Sequence, residues 1–285
     1  MDRVKFILFL SGLFVTGIAC AVTFKQSQTG DSDFQVKTET CGSETSKAKV
    51  VIFPPTGGAT TLERWYAEKI CDRGGFAILV NDWTKAQESA IDPELHDRHL
   101  QRSLRVFKSL EKKWKGPFRV LGTSLGGLYA AAISMHHPWE KMVLITAGGP
   151  LSQVLANSDL TSLIELREKR MKLWGLRSEK EYEGVLGRSI SLDFLPPRFS
   201  SGIPDVDGIV GPPAKASKSL VPTQQILMSL APSDETVPYE TQEKLWVTLG
   251  EPKRFDVSGD HFFGIVRTYW FHSDEISDFL TGSLN

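Results

Sequence analysis

From residue 49 onward the chain repeats one pattern. A short uninterrupted apolar run is followed by a longer stretch whose apolar positions recur at helical spacing. Val50-Val51-Ile52-Phe53 is the first such run, the signature of a strand buried on both faces. Residues 62–72 then read as a helix stopped by Gly74-Gly75. Residues 76–80 are a second strand. Leu100, Leu104, Phe107, Leu110 and Trp114 predict a helix over 95–114, which Gly116-Pro117 ends. Strands follow at 118–121, 142–145, 225–230 and 254–257, with a small-residue helix at 125–136 and a final helix at about 262–280. This alternation predicts an α/β fold: a mostly parallel central sheet with helices on both faces. Residues 34–40 alternate weakly and are a candidate first strand.

One stretch breaks the rhythm. Residues 150–221 hold no clear strand, but a charged amphipathic helix over 161–174 with Glu165/Lys169 and Glu168/Lys172 at i,i+4. A loop with Pro196, Pro197, Pro204, Pro212 and Pro213 follows. A long insertion of this kind reads as a cap or lid.

The first residues stand apart. A short basic-leaning start precedes an uncharged stretch from Phe6 to Phe24, the layout of a secretory signal. Residues 1–21 therefore read as a signal peptide, a lipoprotein signal or an uncleaved anchor. Gly17-Ile18-Ala19-Cys20 looks like a bacterial lipobox with Cys20 as the lipidated residue, and Ala19-Cys20-Ala21 reads equally as an ordinary cleavage site. Each fate exports the rest of the chain, with membrane attachment through the N-terminus in two of them. Residues 22–46 are expected to be a polar tether and the candidate first strand, and residues 47–285 the folded domain. Cys41 and Cys71 are the other two cysteines. In an oxidising compartment they are a candidate disulfide, against the alternative of two unpaired thiols.

Thirty-three basic residues against 34 acidic ones give a net charge of −1, no electrostatic ground for a nucleic-acid partner. A hydrophobic fraction of 41 % and a charged fraction of 24 % exclude a disordered chain or a multi-span membrane protein.

Gly122-Thr123-Ser124-Leu125-Gly126 matches G-x-S-x-G and sits between a predicted strand and a helix of small residues. That context suits an elbow presenting Ser124 as a nucleophile. A serine needs a base, and the base an acid, in chain order Ser, acid, His. His261 follows the strand at 254–257, and Asp234 follows the strand at 225–230. Asp260 and Asp256 are poorer acids, one adjacent to the histidine and one within a strand. The N–H of Leu125 would supply one oxyanion donor. In Pro54-Pro55-Thr56-Gly57-Gly58 the prolines carry no N–H, which leaves Thr56 or Gly57 for the other. His96 and His99, at i,i+3 beside acidic residues, read as a polar helix start; four metal ligands are not evident. No cofactor or metal is expected.

Together the elbow, Asp-x-x-Val-Pro from Asp234 to Pro238 and Gly-x-His-Phe from Gly259 to Phe262 resemble the α/β-hydrolase superfamily, over residues 49–280. The resemblance implies Ser124 as nucleophile, His261 as general base and Asp234 as its partner. Where many members carry His-Gly, this chain has Pro54-Pro55, and Thr56 falls at the donor position. The expected activity is hydrolysis of a small or medium acyl ester. An acyltransferase, a thioesterase, a peptidase and an inactive membrane-tethered binding module are the rivals on this fold. The sequence fixes neither the acyl preference nor the oligomeric state.

Overall fold

The computed structural model describes residues 22–31, 34–56, 58–82, 91–92, 94–189 and 219–282. The leader with Cys20, the oxyanion candidate Gly57, Trp83 and the proline-rich part of the insertion lie outside the described residues.

Strands β1 (Lys25–Asp31), β2 (Phe34–Cys41), β3 (Lys49–Phe53), β4 (Phe76–Asp82), β5 (Phe118–Thr123), β6 (Met142–Ile145), β7 (Ile226–Leu230) and β8 (Lys253–Asp256) form one sheet. Their order is β1-β2-β4-β3-β5-β6-β7-β8. From β4 to β8 every pair is parallel, while β1 and β2 run antiparallel at one edge. Helices α1 (Thr61–Asp72) and α8 (His261–Thr281) cover one face. Helices α2 (Leu95–Lys113), α3 (Leu125–Ser134) and α7 (Tyr239–Thr248) cover the other. The central strands β5, β6 and β7 are buried at every position, which is why they read as largely apolar runs, broken only by buried Arg119 and Thr123 in β5 and Ser229 in β7. Each fully buried Val, Ile or Leu contributes roughly 1.5–3 kcal/mol.

Local chemistry sets the boundaries. At the start of α1 Thr60 accepts from the N–H of Leu62, and Glu63 accepts from the N–H of Thr60 at 2.9 Å, a reciprocal cap. Asp260 caps α8 by accepting from the N–H of Phe263 at 2.9 Å.

The segment expected to be a tether is corrected in part: Lys25–Asp31 is strand β1, paired with β2 from Lys25↔Thr40 to Asp31↔Phe34. Its polar side chains suit an edge strand, where the main chain supplies the pairing and no apolar alternation is needed. Ser27 Oγ meets Thr38 Oγ1 at 2.9 Å, and Lys113 of α2 donates to Ser27 Oγ at 2.9 Å. Cys41, at the end of β2, is disulfide-bonded to Cys71 of α1, with Cα atoms 6.1 Å apart. The insertion after β6 contains α4 (Leu151–Asn157), α5 (Thr161–Trp174) and α6 (Glu179–Ser189), which pack on one another. Among the described residues, no helix is long and apolar enough to cross a membrane.

Candidate active site

In a parallel sheet, the loops after the strands gather at one edge. Ser124 follows β5, Asp234 follows β7, His261 follows β8 and Thr56 follows β3, so residues far apart in sequence share that edge.

Ser124 occupies the turn between β5 and α3 with φ 53° and ψ −122°. A non-glycine residue there costs about 1–3 kcal/mol, offset by what surrounds it. Its N–H donates to Ile145 O at 2.8 Å, and its carbonyl accepts from Gly127 at 2.9 Å and Leu128 at 3.2 Å. The glycines are there because the backbones touch. A Cβ on Gly126 would lie 2.2 Å from Phe53 O and 2.4 Å from Pro54 O, and one on Gly122 2.5 Å from the Cα of Gly127. The elbow is thereby pressed against the loop that carries Thr56.

Ser124 Oγ lies 3.0 Å from His261 Nε2, and His261 Nδ1 lies 2.6 Å from Asp234 Oδ2. The Asp234 side chain is wholly buried, while His261 keeps 18 % of its side chain exposed. Asp234 Oδ1 accepts from the N–H of Val237 at 2.8 Å. Oδ2 also accepts from Gln242 Nε2 at 3.1 Å, and Gln242 bonds in turn to Val237 O and to the N–H of Ala231. The carboxylate, held in place by these donors, accepts from His261 Nδ1 and orients the imidazole so that Nε2 faces the serine hydroxyl.

Leu125 opens α3, whose first amide groups have no acceptor within the helix, and Thr56 lines the same pocket. The structure thus brings Ser124, Leu125, Thr56, Asp234 and His261 to one place. The pocket in front of Ser124 has a volume of about 620 Å³, within the range of about 300–1,000 Å³ usual for small-molecule sites. Leu128 of α3, Leu151, Val154 and Leu155 of α4, and Leu163 of α5 make it largely apolar.

Other sequence candidates fall elsewhere. Trp65 and Tyr66 pack against Tyr269 of α8 rather than line the pocket. His272 stacks on Phe255 at 3.9 Å. His96 and His99, read as a polar helix start, line the pocket. Among the described residues, no group of three or more His, Cys, Asp or Glu could hold a metal ion. The sequence alone does not single out Gln242. Its only signal is a place in the first turn of a helix just after the Asp234 loop.

The strand order and the elbow decide the architecture. The chain has the α/β-hydrolase fold. It is similar in structure to an esterase of Pyrococcus furiosus at 13 % identity and a TM-score of 0.57, with 95 % of this chain and 98 % of that one covered. It is also similar to carboxyl esterase 2 of the mycorrhizal fungus Tuber melanosporum at 13 % identity and 0.57, with both chains fully covered. The thioesterase domain from the curacin biosynthetic pathway matches at 14 % and 0.55, over 92 % of this chain and all of that one. No protein-family model and no curated protein matches the sequence.

Proposed function

We propose that this chain is a serine hydrolase that cleaves small or medium carboxylic esters through an acyl-enzyme on Ser124. The observation that carries the reading is the continuous chain from Ser124 Oγ to His261 (3.0 Å) to Asp234 (2.6 Å), opening on the apolar pocket under the cap. Ser124 Oγ attacks the ester carbonyl as its proton passes to His261 Nε2. The N–H groups of Leu125 and Thr56 hold the oxyanion, each such donor being worth roughly 3–4 kcal/mol. His261 returns the proton to the departing alcohol. Water then attacks the acyl-enzyme with His261 again as base, and the acid leaves. Asp234 keeps the imidazole oriented and stabilises its charged form.

The esterases that share this fold support the reaction class, and the thioesterase domain keeps transfer to or from a thiol as its nearest rival. The Cys41–Cys71 disulfide supports an exported protein, with the N-terminal segment as its signal or membrane attachment. The test is pre-steady-state hydrolysis of p-nitrophenyl esters of graded chain length. The reading expects a burst of about one nitrophenolate per chain, and a loss of roughly 10⁴-fold or more in kcat for Ser124→Ala. Turnover unchanged in Ser124→Ala would refute it. Faster product formation with an added alcohol or thiol would turn the reading towards transfer.

A further inference from the structure

The pocket in front of Ser124 has two chemically different walls. The cap leucines form one. The other carries His96 and His99 from α2, whose i,i+3 spacing puts both rings on one helical face, 6.3 Å apart. Behind His96 stands Arg170 of the cap helix α5, fully buried. Arg170 Nη1 lies 3.1 Å from His96 Nε2 and donates to the hydroxyl of Tyr182 on α6 at 3.0 Å. The Trp174 ring lies 5.5 Å from the guanidinium. A guanidinium only donates and keeps its proton at any ordinary pH. His96 Nε2 is therefore the acceptor, and the neutral ring carries its proton on Nδ1. Burial first, then the Arg170 charge and His99, hold His96 at about 3, in the same sense. No Asp or Glu is among the described residues that line the pocket. His96 is thus neutral, with the fixed charge of Arg170 directly behind it and the Asp92 carboxylate within electrostatic reach of that charge.

An ester offers two arms that diverge from the attacked carbonyl. The acyl chain suits the leucine wall, which leaves the alcohol arm for the polar wall. We propose that His96, positioned by Arg170, selects the alcohol arm of the substrate: it takes an electron-rich oxygen group, a carboxylate ahead of a neutral group, and rejects a cationic one. This rests on the ester-hydrolase reading of Ser124.

The test compares kcat/KM for three hexanoyl esters, of propan-1-ol, 3-hydroxypropanoate and 3-(trimethylammonio)propan-1-ol, followed by hexanoate release. The wild-type protein should prefer the anionic over the cationic ester at least tenfold, with the neutral ester between. Arg170→Met should bring that ratio to within about threefold. A Met in place of a buried Arg can fail to fold, so ¹⁵N shifts of His96 in the wild type supply a second readout. They should show Nδ1 protonated and Nε2 bare from pH 5 to 8. A wild-type anionic-to-cationic ratio near one, a ratio unmoved in folded Arg170→Met, or His96 titrating near 6.5 would overturn the proposal. If none of the three esters is turned over while a fluorophosphonate labels Ser124, the ester reading fails, and this proposal with it. Hydrolysis of all three at equal rates sinks the proposal alone.

Discussion

Replacing Gln242 with Leu probes how the acid of the site is held. Gln242 is fully buried and makes three hydrogen bonds: to Asp234 Oδ2 at 3.1 Å, to Val237 O at 2.7 Å and from the Ala231 N–H at 3.0 Å. Leucine fills similar space but pairs with none of these groups. An orphaned buried polar group costs about 1–3 kcal/mol. Allowing some relaxation, Gln242→Leu should lower unfolding free energy by roughly 3–5 kcal/mol. Asp234 keeps the Val237 N–H at 2.8 Å and His261 at 2.6 Å, so the carboxylate shifts rather than swings away. The expected loss in kcat is about 10–100-fold, well short of the roughly 10⁴-fold expected for Asp234→Asn. Gln242→Glu separates shape from hydrogen bonding. It keeps the shape, yet sets an acceptor against Asp234 Oδ2 and Val237 O, so it should be more damaging at pH 8 than at pH 5. Urea unfolding and ester kinetics on the same preparations read both quantities. Gln242→Leu within 0.5 kcal/mol of wild type, with unchanged kcat, would show that Gln242 does not hold Asp234.

Three further outcomes follow from the geometry. Gly126→Ala puts a Cβ 2.2 Å from Phe53 O and 2.4 Å from Pro54 O; it should cost about 1–3 kcal/mol and lower kcat by about 100-fold through the displaced Thr56 loop, checked by melting and turnover together. Cys41→Ser with Cys71→Ser opens a link spanning 30 residues and should lower stability by roughly 3–4 kcal/mol, measured by chemical denaturation without reductant. His96 has its folded pKa lowered to about 3 from 6.5 by burial, Arg170 and His99, so below pH 6.5 the unfolded chain binds the extra proton. Stability should therefore fall as pH drops from about 6.5 towards 3, by up to about 1.4 kcal/mol per pH unit. His96→Asn should flatten that part of the urea-midpoint profile.

The central strands were legible because burial on both faces leaves a short, mostly apolar run, uninterrupted in Val50–Phe53 and in β6. The helices were legible because one buried face leaves a 3.6-residue period. Observed ends fall within about two residues of those expected, as at β6, 142–145, and α1, where the cap at Thr60 adds one residue to the expected start. Strand β1 was not legible. Lys25–Asp31 is polar throughout, and its order comes from pairing with β2, which no local pattern records. In the site, Ser124, Asp234 and His261 were legible because the elbow and the loop order are local features. Gln242 and the Arg170–His96 contact were not, because each depends on side chains that meet only after β7, α2 and the cap have packed. Thr56 and Gly57 were reached from the two prolines before them, whose missing N–H groups leave these two as the candidate donors on that loop.

The most direct measurement of the central claim is intact mass after treatment with a fluorophosphonate, on wild type and Ser124→Ala. One adduct per wild-type chain, mapped to Ser124, and none on Ser124→Ala is the expected result. A folded wild-type protein that takes no adduct, or a Ser124→Ala protein labelled to the same extent, would contradict it.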